Sequence, residues 1–255
     1  MIEGTQVIDF HGHTDGLDYC GMKADRTQML RAMDAAGIDL ACIFNCCHPN
    51  GVDSNNDVAA FVAGRPDRLI GFAHVSPMLP AGMLAELERA IDVLKFRGIK
   101  LYPPSTPWPL NTPRWDPIYA FADARRLPVI FHTDTFSQDK CRPAQLADIA
   151  PRFPNAIFIA GHSGNDAIGR AEAIAAARAC PNVYCETCST FRQPGAIEEL
   201  VNGAGAERVL YGSDQPLMDP RPQIGKIITA DISDEAKRLV LGGNARRILG
   251  LCEQI

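Results

Sequence analysis

Eight short runs rich in valine, isoleucine, leucine and phenylalanine punctuate the chain, at 7–13, 40–47, 69–75, 98–103, 127–133, 156–163, 183–188 and 208–214. Their apolar residues cluster instead of alternating with polar ones, as expected of strands buried on both faces of a parallel sheet. Helical patterns fill the intervals: Met29, Leu30 and Met33 lead to Gly37, Met83, Leu84, Leu87, Ile91 and Leu94 lead to Gly98, and the alanine-rich stretch Ala167 to Ala179 leads to Pro181. Ser233-Asp234-Glu235 opens the last long helix with a capping hydroxyl and an acidic first turn. Eight such β/α units in 255 residues, with no Ser/Gly-rich linker or repeat between them, predict one (β/α)8 TIM barrel over residues 1–255.

Side chains that can bind a metal stand at the ends of four of these runs. His11 and His13 close the first, and residues two apart on a strand point the same way, so the two imidazoles converge on one point. His132 ends the fifth run, His162 the sixth and Asp214 the eighth. In a barrel of this type the C-terminal strand ends carry the active site, and all five residues fall there. Imidazoles together with a carboxylate suit Zn²⁺, with Mn²⁺ the alternative.

Composition narrows the partners. A formal charge of −5 offers no basic face for nucleic acid or anionic membrane. The start Met1-Ile2-Glu3-Gly4-Thr5-Gln6 has no basic segment ahead of an apolar one, and no run reaches the roughly 18 apolar residues of a membrane helix, so a cytoplasmic enzyme acting on a small molecule is expected. The nine cysteines are odd in number and mostly lie in apolar runs, including Cys42, Cys46, Cys47 and Cys185, where cysteine serves as a small hydrophobe. Cys185-Glu186-Thr187-Cys188 has redox-like spacing, but residues three apart on a strand face opposite sides.

Taken together, the His-x-His pair, His132, Gly161-His162-Ser163-Gly164 and Gly212-Ser213-Asp214-Gln215-Pro216 resemble the amidohydrolase superfamily. Gly98-Ile99-Lys100-Leu101-Tyr102-Pro103 and the late Gly243-Asn244-Ala245-Arg246 are similar to its amidohydrolase-related group, which includes aminocarboxymuconate-semialdehyde decarboxylase and several small hydrolases. The resemblance implies that His11, His13, His132 and Asp214 hold one divalent metal, and that His162 is a catalytic group beside it. It also implies that Asp214 doubles as a general base toward a metal-activated water.

The resemblance leaves the reaction open. Hydrolysis of an amide, lactone or ester-like bond of a small, carboxylated molecule is the expected chemistry; a non-oxidative decarboxylase or hydratase acting on an unsaturated or aromatic acid is the alternative, and a metal-binding barrel without catalysis a third reading. Lys100 is expected to bind an anionic substrate group; the alternative is a carboxylated lysine bridging two metals. Glu186 and Ser189 are candidates to orient substrate, and Arg142 and Arg192 to meet its carboxylate. His74, inside a core run, reads as structural, and His48 as a loop residue. The proline-rich stretch from Pro103 to Pro117, with Trp108 and Trp115, is a candidate wall of the substrate site. Barrels of this kind often form homo-oligomers, but no apolar patch in the sequence marks an interface.

Overall fold

The computed structural model describes residues 4–14, 24–46, 48, 50–188 and 193–251; Cys47, Ser189 and Arg192, named above, lie outside them. In chain order the elements are β1 (Ile8–His13), α1 (Arg26–Ala36), β2 (Leu40–Phe44), α2 (Gly51–Ala63), β3 (Leu69–Gly71), β4 (Ala73–His74), α3 (Met83–Glu88), β5 (Ile99–Leu101), α4 (Asp116–Arg125), β6 (Pro128–His132), α5 (Leu146–Ile149), β7 (Ile157–Gly161), α6 (Ala167–Ala179), β8 (Val183–Glu186), α7 (Ala196–Ala204), β9 (Val209–Leu210), α8 (Pro220–Ile228), α9 (Asp234–Arg238) and α10 (Asn244–Leu249). Every apolar run of the sequence contains a strand. The third contains two, because it breaks at Phe72 into β3 and β4, which leaves eight strand positions.

All neighbouring strands pair in parallel, β1 to β3 in one ladder and β4 to β9 in another. The ladders rejoin at both seams. Phe72 N–H donates to the Ile43 carbonyl at 2.8 Å and Ala73 N–H to Gly98 at 2.8 Å. On the other side Phe10 N–H reaches Tyr211 at 2.9 Å, Asp214 N–H reaches His11 at 2.9 Å, and His13 N–H reaches Gln215 at 2.7 Å. The strands thus form the (β/α)8 TIM barrel expected from the sequence.

Two apolar layers hold it. Ile8, Phe10, Cys42, Phe44, Phe72, Ile130, Ile159, Tyr184 and Leu210 pack together inside the ring. The alternate strand residues, among them Ala41, Ile43, Ile99, Leu101, Val129, Phe131, Phe158, Val183 and Val209, pack outward with helix residues such as Met33, Leu87, Leu200 and Ile224. The caps follow sequence logic: Asp25 accepts from Gln28 N–H at 2.8 Å to start α1, and the Ser233 hydroxyl accepts from Ala236 N–H at 3.2 Å to start α9.

One irregularity in β1 decides where the site lies. Val7 packs in the outer layer and Ile8 and Phe10 in the inner one, so simple alternation would send His11 and His13 outward with Val7. The pairing of β1 with β2 slips by one residue between Asp9 and Gly12, so that His13 stands opposite the inward Phe44. A bulge of this kind inserts one residue and reverses the facing of all that follow. It turns both imidazoles into the barrel mouth, where the Phe44 ring lies 5.0 Å from His11 and 4.7 Å from His13.

The proline-rich stretch is ordered by packing. Trp115 is buried at the start of α4, the Tyr119 hydroxyl donates to the Leu110 carbonyl at 2.6 Å, and Arg114 stacks 5.2 Å from the half-buried Trp108 ring. His74 is buried, with Nδ1 2.9 Å from the Lys100 carbonyl, which fits the structural role expected of it. Six described cysteines are buried and outside any disulfide. No helix among the described residues is long and apolar enough to cross a membrane.

Candidate metal centre and active site

Above the apolar interior lies a polar layer built from the strand ends. Lys100 of β5, His132 of β6 and Glu186 of β8 follow the inward-facing parity of their strands, and the bulge adds His11 and His13. His162 and Asp214 stand just past β7 and β9 in the left-handed region, at φ 64° and 67°, with Ser163 at 40°. A residue with a Cβ pays about 1–2 kcal/mol for that conformation, which is characteristic of functional sites held by their surroundings.

The layer fits only because two positions lack a side chain. A Cβ at Gly212 would collide with Glu186 Oε1 and meet the His11 Cβ at 2.9 Å, and one at Gly161 would strike the Phe131 carbonyl. Beneath the layer, buried Asp9 ties the first strand to the last. It accepts from His11 N–H at 3.0 Å, Ser213 N–H at 2.9 Å, the Ser213 hydroxyl at 2.5 Å and the Gln215 amide at 2.9 Å. Burial pushes its carboxyl up to about 7, against the lowering effect of the Ser213 and His11 donors.

His11, His13 and Asp214 converge: one ligand atom from each lies within 4.8 Å of the others. Asp214 Oδ1 is 3.1 Å from His13 Nε2 and 3.4 Å from His11 Nε2. Burial works to raise the Asp214 pKa, but the hydrogen bond to His13 and the charges around it prevail and hold the carboxyl below its ordinary value. His11 Nδ1 is 3.0 Å from Glu186 Oε2; with the ring proton on that nitrogen, the Nε2 lone pair is left on the side of Asp214. Carboxylate-backed histidines of this type are how proteins orient a ring for a metal. Burial and the nearby Lys100 charge keep His11 well below the usual histidine range, so it is neutral and able to ligate. The donor set fits a divalent cation.

Not every expected ligand joins it. His132 Nε2 is 2.9 Å from Asp134 Oδ2, a carboxylate also held by the Ser137 hydroxyl at 2.7 Å, and His132 is not part of the converged set. Its ring packs against His162 at 4.5 Å and Tyr102 at 5.0 Å. Lys100 is wholly buried, its ammonium 3.1 Å from His11 Nε2 and 4.6 Å above the Phe44 ring. Glu186 is wholly buried, and its oxygens accept from His11, from His162 N–H at 3.0 Å and from Cys188 N–H. Arg142 is engaged by Glu172 and Asp139. His162 lies beside His11, with ring centroids 4.8 Å apart, and burial holds it well below the usual histidine range.

Asp9 and Asp134 belong to the site but draw no functional reading from the sequence, and Cys188 draws only the redox-like spacing with Cys185. Asp9 carried a signal: a lone carboxylate inside an apolar strand, two residues before His11. Cys188 is buried with Sγ 2.8 Å from His162 Nδ1 and 3.1 Å from His11 Nδ1.

The sequence from residue 8 to residue 251 matches the family model described as amidohydrolase. The chain belongs to the amidohydrolase family. This amidohydrolase is accordingly a metal-dependent enzyme, and its fold recurs in solved structures at low identity. 5-Carboxyvanillate decarboxylase from Sphingomonas paucimobilis superposes with a TM-score of 0.78 at 17% identity, over 98% of this chain and 100% of that one. A dihydroxybenzoic acid decarboxylase from Polaromonas sp. JS666, with bound manganese and the inhibitor 2-nitroresorcinol, gives 0.77 at 17%, over 98% of each. 4-Oxalomesaconate hydratase from Rhodopseudomonas palustris gives 0.73 at 21%, over 96% of each.

Proposed function

We propose that this amidohydrolase is a metal-dependent lyase that removes CO₂, without oxidation, from a small unsaturated or aromatic carboxylic acid. The observation that carries the reading is that the compared structures, similar along nearly their full length, are decarboxylases and a hydratase acting on such acids. Hydrolysis, the first expectation from sequence, draws less support than this alternative. Hydration is the second reading, because of the hydratase.

The site is consistent with the chemistry. His11, His13 and Asp214 would hold the divalent cation, Zn²⁺ or Mn²⁺, which supplies positive charge against the anionic substrate. Lys100, buried beside them, adds a second cationic group for the substrate carboxylate. When the bond to CO₂ breaks, its electron pair stays on the carbon, which must take a proton. We assign that proton to His162: Cys188 occupies its Nδ1, so Nε2 remains to carry it. Asp214, held ionised, is the other proton-carrying group. Glu186 is assigned to orienting His11 in place of the substrate contact expected from sequence. His132 is assigned to the wall beside His162, held there by Asp134.

The test is a panel of hydroxylated benzoic and conjugated acids, isotopically labelled in the carboxylate, incubated with Zn²⁺- or Mn²⁺-loaded protein. Labelled CO₂ and a product one carboxylate shorter are expected. A product that keeps every carbon and gains oxygen from labelled water would replace decarboxylation with hydration or hydrolysis.

A further inference from the structure

The two nitrogens of His11 face two different sets of donors. Nε2 looks toward Asp214, 3.4 Å away. Nδ1 looks the other way, to Glu186 Oε2 at 3.0 Å and Cys188 Sγ at 3.1 Å, and Cys188 Sγ in turn lies 2.8 Å from His162 Nδ1. One ligand atom from each of His11, His162, Glu186 and Cys188 lies within 4.8 Å of all the others, and all four residues are buried.

Cys188 differs from the other buried thiols around the strands. Cys42 belongs to the inner apolar cluster, and Cys141 and Cys185 to the outer one, whereas Cys188 belongs to neither. Two imidazole nitrogens, a carboxylate oxygen and a sulfur are the number and kind of donors that close a tetrahedral zinc site. The sulfur also sets a preference. Thiolate ligands select Zn²⁺ and other thiophilic ions, while carboxylate and water suit Mn²⁺.

We propose that His11, His162, Glu186 and Cys188 form a second cation subsite, specific for thiophilic divalent ions and distinct from the set completed by His13 and Asp214. The subsite rests on these distances and donor types, and not on the reaction proposed above. The two sets share His11 through opposite nitrogens of one ring, so an ion in the subsite takes the place of the Nδ1 proton that otherwise goes to Glu186, and filling both sets at once turns the ring into a bridging imidazolate with that proton released to solvent. If His162 gives up its Nε2 proton in catalysis, an ion held at Nδ1 keeps the ring from taking a proton there in exchange, and an excess of Zn²⁺ over Mn²⁺ then inhibits.

Cobalt provides a readout that needs no substrate. Full-length protein stripped of metal is titrated with Co²⁺ while uptake is counted and the near-ultraviolet absorption of a cobalt–thiolate bond is followed. A thiolate band is expected in the wild type, displaced by Zn²⁺ but not by Mn²⁺. It is expected to be absent from Cys188→Ser and Cys188→Ala and kept in Cys46→Ser, whose thiol lies 3.9 Å from His13 Nδ1 on the other set. Circular dichroism checks that the variants fold. The wild-type arm alone can overturn the proposal: full cobalt uptake without a thiolate band means that Cys188 is no ligand. A band lost in Cys46→Ser and kept in Cys188→Ser overturns it equally. Neither result bears on whether CO₂ is released.

Discussion

His11 has to serve several neighbours at once, and the proton on its Nδ1 decides which. With that proton donated to Glu186, Nε2 is left for the Lys100 ammonium or for a metal, and both cannot have it. Replacing Glu186 with Gln is expected to weaken the Mn²⁺ affinity of the His11, His13 and Asp214 set about 10–100-fold, the usual loss for a carboxylate that orients a ligand histidine, as read by competition with a chelating dye. Unchanged affinity would remove Glu186 from the orientation of His11. Lys100→Ala is expected to leave the metal content per chain unchanged and to raise KM; a fall in metal content would instead make Lys100 a bridging ligand. His162→Asn is expected to lower kcat by about 10²–10⁴-fold with Mn²⁺ binding by His11, His13 and Asp214 intact, the range lost with a general acid or base. Full turnover in that variant would exclude His162 from proton transfer. The residue types at the strand ends were legible in the sequence because metal chemistry admits few donors. The thiol contact of Cys188 was not, since its partners lie 177 and 26 residues away.

At the scale of elements, the bulge in β1 and the Asp9 clip do what alternation alone cannot. The spacing of His11 and His13 correctly places both on one side of a strand, but which side depends on a register slip that no propensity encodes. The break at Phe72 was hidden for a similar reason: an apolar run reads as one strand whether or not its hydrogen bonds change partner midway. Asp9 then fixes the bulged strand to the loop that carries Asp214. Asp9→Ala would strip the acceptor from two backbone amides, a hydroxyl and a side-chain amide, all buried. A loss of about 3 kcal/mol in urea unfolding is expected, since each buried donor left unpaired costs about 1–3 kcal/mol and local water or rearrangement recovers part. A change below about 0.5 kcal/mol, within the range of an ordinary surface substitution, would mean that the clip does not hold the seam.

For the whole molecule, the polar layer makes the metal-free barrel sensitive to acid. His11, His132 and His162 all have pKa values lowered from 6.5, chiefly by burial. Below pH 6.5 the unfolded chain therefore binds protons there that the folded one does not, and stability falls as pH falls. Asp9, raised to about 7, and Glu186, also raised by burial, oppose this by binding protons in the folded state, but they are two groups against three. A net loss on the order of 1 kcal/mol per pH unit is expected between about pH 6.5 and 5.5, by urea titration of stripped protein. Stability that rises on acidification in that window would contradict the balance. The barrel itself was legible because eight apolar runs and their helical spacers leave few other folds; the reaction was not, because the same ligands serve several chemistries. Everything proposed for function depends on an ion held by His11, His13 and Asp214. Anomalous diffraction from metal-loaded crystals, at the absorption edge of the added ion, tests this most directly. A peak within bonding distance of both imidazoles and the Asp214 carboxylate is the expected result, and an ion located away from these three residues would contradict the account.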